Sequence, residues 1–310
     1  MTGTPLSGRQ YDIESGPYTA TIASVGASVR RLGYGGRELV RSFAAEQVRP
    51  AFSGALLAPW PNRVVDGRYT WDGSEQQLGL TEPDRGHALH GLVAWLDFGL
   101  REFTGDGVVL QAVIEPQQGY PHRIAAVVRY RLDDEGLHTE LELENTGPSA
   151  APVGWGAHPY LVAPGRHVDD WVLELPASHV QDVSAGRLIP GELVAVEDHP
   201  AGLDFRGGRV VASTRIDHAY TGLAPDADGR FVVVVRARDG RGARVVWDER
   251  SPWVQVHTAD LADSALSRTA LAVEPMSCPP GAFGSGTDVV RLEAGERVDA
   301  SWLIQAVGGA

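Results

Sequence analysis

RIAAVVRYRLDDEGLHTELELENTG, residues 123–147, is the stretch of sequence that decides the fold class. Its second half alternates apolar and polar side chains strictly, as a strand does when one face is buried and the other meets water. The tetrapeptide DDEG between the two halves has the composition of a tight turn. The stretch therefore predicts two long antiparallel strands joined by a short connection.

Similar strand signals recur along the rest of the chain, and helical periodicity is scarce. Residues 260–271 are the best helix candidate, whereas the DG turn within residues 67–78 indicates a hairpin. The 37 glycines and 20 prolines are spread evenly, with no linker or repeat. We therefore expect residues 1–310 to form one all-β domain, a large antiparallel sandwich or barrel with few short helices. The other predicted strands lie at 18–25, 171–176, 230–239 and 243–249, with a closing pair at 291–307.

Composition excludes several classes of function. The net charge of −13 disfavours nucleic acids and anionic membranes as partners. The chain has no lysine, which excludes Schiff-base chemistry and a P-loop. Its single cysteine, Cys278, excludes an intramolecular disulfide and a cysteine-based metal cluster. With no signal-peptide pattern at the start and no apolar run of membrane-spanning length, we expect a cytoplasmic protein.

Two pairs of polar residues occupy loops next to predicted strands. Asn62 and Arg63 follow two prolines, which stiffen a loop and hold polar groups in place, although a solvated arginine in a surface turn gives the same pattern. His87 and His90 are three residues apart and could ligate a metal. There is no HExxH pattern and no obvious third ligand, so two satisfied polar groups at a strand end are the favoured explanation for the histidine pair.

Three further ionisable residues lie in apolar surroundings. His158 precedes a proline and is suited to proton donation near neutrality, or alternatively is a buried histidine bonded to the main chain. Glu274 ends an apolar run and precedes Pro275, where a carboxylate needs either a salt-bridge partner or a catalytic task. Asp217 lies at the edge of a strand-like segment. These residues alone suggest general acid–base chemistry on a polar, neutral ligand.

Taken in order, these segments and a few others resemble the aldose 1-epimerase (galactose mutarotase-like) family. The combination of APWPNR with HALHGLV is most similar to the bacterial branch of uncharacterised epimerase homologues. The matching features run from about residue 26 to residue 283, nearly the whole chain. They are GASVRRLGYGGRELV (26–40), PWPNRVVDGRY, HALHGL, QQGYPHR (117–123), GAHPYL, IDHAY, WVQVHTAD (253–260) and AVEPMSCPPGAF.

The resemblance implies a large antiparallel β-sandwich with an open cleft, no metal and no cofactor. It implies an isomerase that interconverts the α and β anomers of a hexose such as glucose or galactose, and an aldose sugar as the partner of a monomer or homodimer. In the family the histidine of the HPY motif is the general acid, here His158. The glutamate before a proline near the C-terminus is the general base, here Glu274. The implied substrate-binding residues are Asn62, Arg63, His90, Tyr160, Asp217 and Gln255.

Three departures from the family pattern leave the choice of sugar open. The family often has asparagine shortly before the LHG histidine, where this chain has Gly86-His87-Ala88. His257 replaces a common tyrosine, and the glutamate motif continues as PMSCPPGAF. One alternative is a hexose-6-phosphate 1-epimerase, which needs an arginine cluster beside the pocket. Another alternative is a non-catalytic carbohydrate-binding protein, and a third is a structural or interaction protein.

Overall fold

A computed structural model of the protein describes residues 3–165 and 167–309, and nearly all regular structure in these residues is strand. The strands are β1 Gln10–Ser15, β2 Tyr18–Ala23, β3 Ser28–Tyr34, β4 Arg37–Glu38, β5 Leu56–Leu57, β6 Arg63–Val65, β7 Arg68–Trp71, β8 Ser74–Gln77, β9 His87–Leu89, β10 Gly99–Phe103, β11 Gly107–Ile114, β12 Ile124–Leu132, β13 Leu137–Asn145, β14 Ala151–Val153, β15 Gly156–Ala157, β16 Tyr160–Leu161, β17 Val172–Glu174, β18 Ala177–Val183, β19 Pro190–Ala195, β20 Arg209–Val210, β21 Asp217–Leu223, β22 Phe231–Arg236, β23 Gly242–Trp247, β24 Trp253–His257, β25 Leu271–Met276, β26 Val290–Leu292 and β27 Arg297–Val307.

Helices in the described residues are few and short. The α-helix α1 spans Ala282–Ser285, and three 3₁₀ turns span Pro50–Phe52, Val93–Trp95 and Val168–Asp170. No helix of the described residues is long and apolar enough to cross a membrane.

Two large antiparallel sheets form the body of the molecule. One has nine strands in the order β10-β11-β12-β13-β27-β23-β22-β17-β20. The other has eight strands, in the order β19-β18-β21-β24-β25-β15-β5, with β16 also paired to β25. A four-stranded sheet, β1 to β4, and three two-stranded ribbons, β14-β26, β6-β9 and β7-β8, complete the pattern. The predicted all-β sandwich is confirmed.

The core lies where the alternating faces of both large sheets meet. In β12 and β13 every second residue is buried, and Val128 lies opposite Leu141 in the register. Leu141 belongs to the same buried cluster as Tyr220 and Val273 of the eight-stranded sheet. Burial of apolar surface stabilises the fold by about 25 cal/mol for each Å² removed from water. The alternation in residues 137–145 therefore reports directly which side of the strand faces the core.

The hairpin predicted within residues 67–78 forms, whereas the two strands predicted at 291–307 do not pair with each other. The DG hairpin is confirmed, with Asp72 and Gly73 both at positive φ, as a type I′ turn requires. The predicted closing pair at 291–307 is wrong as a pair, although both strands form. The long strand β27 is hydrogen-bonded to β13 on one edge and to β23 on the other. Because β27 has no free edge, β26 pairs with β14 instead.

The helix predicted at 260–271 is also wrong, because the segment forms turns. The side chain of Asp263 accepts a hydrogen bond from the Ala265 N–H at 2.9 Å, which closes one turn locally. Arg268 then adopts a φ of 53°, a left-handed conformation that ends any helix. Its guanidinium is held by Asp169 and Asp260, so tertiary contacts override the local helical pattern.

Two loops at one end of the eight-stranded sheet are locked together at Gly91. The Ala58 carbonyl accepts hydrogen bonds from the N–H groups of Leu92 and Val93 at 2.7 and 3.1 Å. Gly91 has a φ of +72°, and a Cβ there would lie 2.2 Å from the Ala58 carbonyl oxygen. Only glycine permits this approach of the two main chains.

We expect Gly91→Ala to destabilise the protein more than Gly73→Ala. Gly73 has a similar φ of +76°, but a Cβ added there would have no other atom within 4 Å, so its substitution adds backbone strain only. Backbone strain of this kind costs about 1 kcal/mol, and forced displacement of buried main chain adds about 1–3 kcal/mol more. Urea denaturation of both variants measures the difference. Equal losses of unfolding free energy would show that the Ala58 contact imposes no requirement for glycine.

Candidate active site

One face of the eight-stranded sheet carries a row of polar side chains. In the register of β24 and β25, Gln255 lies directly opposite Glu274, and Asp217 of β21 lies opposite His257. Successive side chains of a strand point to opposite faces, so these residues share one face while Val256 and Val273 point into the core. The Gln255 amide donates a hydrogen bond to Asp217 Oδ1 at 2.6 Å.

His158 lies over this row, in the connection between β15 and β16. Its N–H donates to the Ala55 carbonyl at 3.0 Å, and its carbonyl accepts from the Gly54 N–H at 2.8 Å. These two bonds fix the main chain of the residue on both sides. The imidazole Nε2 lies 3.3 Å from Glu274 Oε1, and both side chains are almost fully buried. An imidazole and a carboxyl group at this distance can exchange a proton or transfer one to and from a bound molecule.

Asn62 and His90 hold the adjoining loops in reciprocal contact. The His90 N–H donates to the Asn62 carbonyl at 2.8 Å, and the Asn62 N–H donates to His90 Nδ1 at 3.2 Å. Both residues have positive φ values, 53° and 63°, which are strained for side chains with a Cβ. The bond to Nδ1 assigns the neutral His90 ring a proton on Nε2, directed away from the loop.

Arg63 belongs to a charged chain at one side of the cleft. Its guanidinium makes two hydrogen bonds to Glu82, at 2.8 and 3.0 Å, and lies 4.0 Å from Asp217 Oδ2. Arg85 binds the same Glu82 carboxylate at 2.7 Å. Burial alone would lower the pKa of Arg63. The hydrogen bond to Glu82 and the negative charges of Asp217 and Glu82 outweigh burial and raise the pKa of Arg63. Arg63 is therefore a fixed, permanently charged donor.

Tyr160 packs beneath the imidazole of His158. The two ring centroids are 5.0 Å apart, and the guanidinium carbon of Arg41 lies 3.8 Å from the centre of the tyrosine ring. Burial raises the pKa of Tyr160 far above its ordinary value, so the phenol stays protonated.

These groups line a cleft of about 280 Å³, a volume just below the usual range for small-molecule sites. The structure brings together the two residues to which the resemblance assigns catalysis and the six to which it assigns substrate binding. They are Asn62, Arg63, His90, His158, Tyr160, Asp217, Gln255 and Glu274.

His87 does not join this cleft. Its Nε2 contacts the Arg187 carbonyl at 2.8 Å, and its Nδ1 accepts from the Asp66 N–H. Of the two histidines, His90 therefore lines the cleft and His87 lies outside it, because β9 ends at Leu89 and the chain turns at His90. His87 takes the structural role that was the favoured explanation for the pair.

Sequence reasoning did not single out several other residues of the cleft. Glu82 and Arg85 lie in a turn-rich segment whose composition predicts only a surface loop. The position of Glu82 before a proline, as with Glu274, is the one signal that could have drawn attention to it. The remaining lining residues are Ala51, Phe52, Leu89, Asp260 and Leu261, together with His257, which the sequence marked only as a departure from the family pattern.

Burial shifts the proton equilibria of the central pair in opposite directions. Removal from water, with the neighbouring His257 contributing further, lowers the pKa of His158 to about 3. Burial, reinforced by the charge of Asp217, raises the pKa of Glu274 well above its ordinary value. Burial also lowers the pKa of His90, with His158 adding to the effect. Both shifts oppose charge on the buried pair, so they favour a neutral imidazole and a protonated carboxyl group.

The atoms of His90, His158 and Glu274 that could ligate a metal lie within 4.8 Å of one another. The hydrogen bond from the Asn62 N–H to His90 Nδ1 opposes metal binding, because it places a proton on the Nε2 that would have to ligate. The hydrogen-bond pattern thus suits proton transfer better than ion binding.

Comparison with known sequences places this arrangement in a known family. The family model for aldose 1-epimerase matches residues 9–305. The chain is 36% identical over 297 residues to the uncharacterized protein YihR of Escherichia coli K12, covering 96% of this chain and 92% of that protein. It is 28% identical over 204 residues to the aldose 1-epimerase of the same organism, covering 60% and 57% of the two chains.

Solved structures share the fold. An aldose epimerase homologue from C. elegans superposes with a TM-score of 0.85 at 19% identity, covering 96% of this chain and 98% of the other. A galactose 1-epimerase from Lactobacillus acidophilus superposes with a TM-score of 0.77 at 17% identity, covering 94% and 92%. With the family model matching almost the whole length and a bacterial uncharacterised homologue aligned end to end, this chain belongs to the aldose 1-epimerase family.

Proposed function

We propose that this protein is an aldose 1-epimerase that interconverts the α and β anomers of a neutral hexose such as glucose or galactose. The observation that carries the proposal is the contact between His158 Nε2 and Glu274 Oε1, 3.3 Å apart and buried at the base of a cleft that suits a sugar ring. Anomer exchange needs two proton carriers at one C–O bond and no redox chemistry. The pair supplies both carriers.

The reaction proceeds by opening and closing the pyranose ring. Glu274 as a carboxylate takes the proton from the anomeric hydroxyl, and protonated His158 donates a proton to the ring oxygen. The bond between C1 and the ring oxygen breaks, leaving a free aldehyde. Rotation about C1–C2 presents the other carbonyl face, and ring closure reverses both proton transfers. A positioned acid or base of this kind contributes about a hundredfold to ten-thousandfold to the rate.

The neutral forms that burial favours for His158 and Glu274 carry the same number of protons as the ion pair that this mechanism needs. A neutral His158 beside a protonated Glu274 holds one proton between them, as does the ion pair that starts the reaction. Passing that proton from Glu274 to His158 forms the reactive ion pair without exchange with solvent. Substrate hydroxyls that donate hydrogen bonds to the carboxylate favour the charged form.

Other groups in the cleft are placed to hold the sugar. Within residues 3–165 and 167–309, no protein group bonds Glu274 Oε2, Gln255 Oε1 or His158 Nδ1, although all three atoms are buried. A buried polar atom without a partner costs about 1–3 kcal/mol, so hydroxyl groups of a ligand would be bound favourably there. Asp217 adds a further acceptor, while Arg63 and His90 stabilise charge that develops on the ring oxygen.

The alternative substrate, a hexose 6-phosphate, requires arginines facing the cleft. The arginines in the N-terminal part of the chain are engaged elsewhere. Arg30 and Arg37 donate to main-chain carbonyls, Arg31 pairs with Glu38, and Arg41 packs beneath the tyrosine of the cleft. Two arginines line the cleft against four carboxyl groups, a balance that favours an uncharged sugar. The lining carboxyl groups are those of Glu82, Asp217, Asp260 and Glu274.

We expect Glu274→Gln and His158→Asn to slow anomer exchange by about a hundredfold or more, because each removes one proton carrier. Polarimetry on freshly dissolved α-D-glucose and α-D-galactose measures the rate. Glu192→Gln, at an exposed position in β19, is the matched control and should retain wild-type turnover. Sugar binding by the wild type without acceleration of mutarotation would instead identify a non-catalytic carbohydrate-binding protein.

Glucose 6-phosphate is expected to bind about tenfold or more weakly than glucose, a difference of about 1.4 kcal/mol, because the cleft is acidic. Inhibition of glucose turnover by graded amounts of glucose 6-phosphate gives the ratio. Inhibition stronger than that by galactose would support a phosphosugar epimerase instead.

Glu274→Gln is also expected to stabilise the fold in a pH-dependent manner. The folded-state pKa of Glu274 is raised, so the wild type loses stability as pH rises from the unfolded-state pKa, about 4.5, toward the folded one. Glutamine removes this loss. Urea denaturation should show the variant about 1–3 kcal/mol more stable at pH 8 and nearly equal at pH 4. The exposed Glu192→Gln should show no such pH dependence. A stability difference between Glu274→Gln and the wild type that stays constant with pH would contradict the raised pKa of Glu274.

A further inference from the structure

Trp95 is exposed at the rim of the cleft. It ends the 3₁₀ turn Val93–Trp95, and half of its surface is accessible to solvent. A large, flat apolar side chain that is open to solvent beside a binding cleft can contact a ligand that extends out of the cleft.

Phe52 connects Trp95 to the cleft. Its ring centroid lies 5.5 Å from that of Trp95, 4.6 Å from that of His90 and 6.3 Å from that of His158. Phe52 lines the cleft itself. The two aromatic rings therefore form a continuous apolar surface that runs from the proton-transfer pair out to solvent.

The main chain that presents Phe52 is strained. Ala51 and Phe52 both have positive φ values, 45° and 56°, in a region that residues with a Cβ rarely adopt. Two residues later, the Gly54 N–H donates a hydrogen bond to the His158 carbonyl and ties the loop to the cleft. Strain of this kind persists where the surrounding structure fixes it and is concentrated at ligand sites.

Arg49 fixes the orientation of Trp95. Its guanidinium carbon lies 4.4 Å from the centre of the indole ring. The same guanidinium donates hydrogen bonds to the carbonyls of Val25 and Ala94 and to the Ser28 hydroxyl. Because Arg49 is itself buried, it is a rigid support, and the exposed indole is held in place before any ligand arrives.

We propose that Trp95 and Phe52 form a second sugar subsite, which takes the non-reducing ring of a 1→6-linked reducing disaccharide. This inference rests on the proposed function. The C–H face of a pyranose is apolar and packs against a flat aromatic ring, whereas its hydroxyl groups remain in water at the rim. Trp95 does not line the cleft itself, so a ring packed on Trp95 would lie outside the cleft, next to the ring bound within it.

The linkage follows from the proposed orientation of the reducing sugar. His158 donates its proton to the ring oxygen, which is bonded to C5, and C5 carries C6. The C6 side of the sugar therefore faces the histidine and, next to it, Phe52. A substituent on O4 leaves from the other end of the ring, opposite C1. The proposal therefore places a 6-linked unit on the aromatic platform and a 4-linked unit away from it.

The experiment compares anomer exchange of isomaltose, maltose and glucose by exchange NMR, which follows the anomeric protons at equilibrium. Trp95→Ala should lower kcat/KM for isomaltose about three- to tenfold relative to glucose, mainly through KM, and should leave the ratio of maltose to glucose unchanged. Trp95→Leu, which keeps an apolar contact with Phe52 but has no flat ring, should behave similarly. Phe103→Ala, at another exposed aromatic residue, is the control for loss of surface area and should alter none of the ratios.

Equal changes for all three sugars, or no change for isomaltose, would overturn the proposal. So would sedimentation showing that Trp95→Ala dissociates a dimer, because the platform would then contact a second copy of the chain. If the wild type exchanges no sugar, the proposed function fails, and calorimetric titration of isomaltose and glucose still tests the subsite. If the wild type binds isomaltose more tightly than glucose and Trp95→Ala loses this preference, the subsite is supported even without the proposed activity.

Discussion

The register between strands β24 and β25 is the constraint on which the rest of the cleft depends. It sets Gln255 opposite Glu274 and His257 opposite Ala272, and the neighbouring strand adds Asp217 on the same face. A shift by one residue would send every polar group into the core and every core valine into the cleft. Such a slip would cost free energy, because it would expose core valines to water and bury polar groups. The packing of the sandwich therefore keeps the polar side chains of the cleft in position.

The groups that complete the cleft come from loops, and their geometry is fixed by the main chain. Asn62 and His90 adopt left-handed conformations and bond each other, while the contact between Ala58 and Gly91 locks their loops together. His158 is held at both its N–H and its carbonyl. Rigid supports of this kind are what precise proton transfer requires, because small misplacements cost large factors in rate.

Much of this architecture could be predicted from local pattern. Alternation in residues 137–145 and the Asp72–Gly73 turn are short-range signals, and both predictions are confirmed. The failures at 260–271 and 291–307 have a long-range cause. Arg268 is fixed by an aspartate about a hundred residues away, and β27 already has two partners. Pattern alone also missed Glu82, whose importance lies in its pairing with Arg63, nineteen positions earlier.

The strongly acidic composition of the chain has a consequence for how the proposed substrate reaches the cleft. A neutral hexose, the substrate proposed above, feels almost no force from the net charge of −13. Capture therefore occurs by unsteered diffusion, and dissolved salt has no attraction to screen. A protein with so acidic a surface can thus encounter its ligand at the same rate in dilute buffer and in concentrated brine.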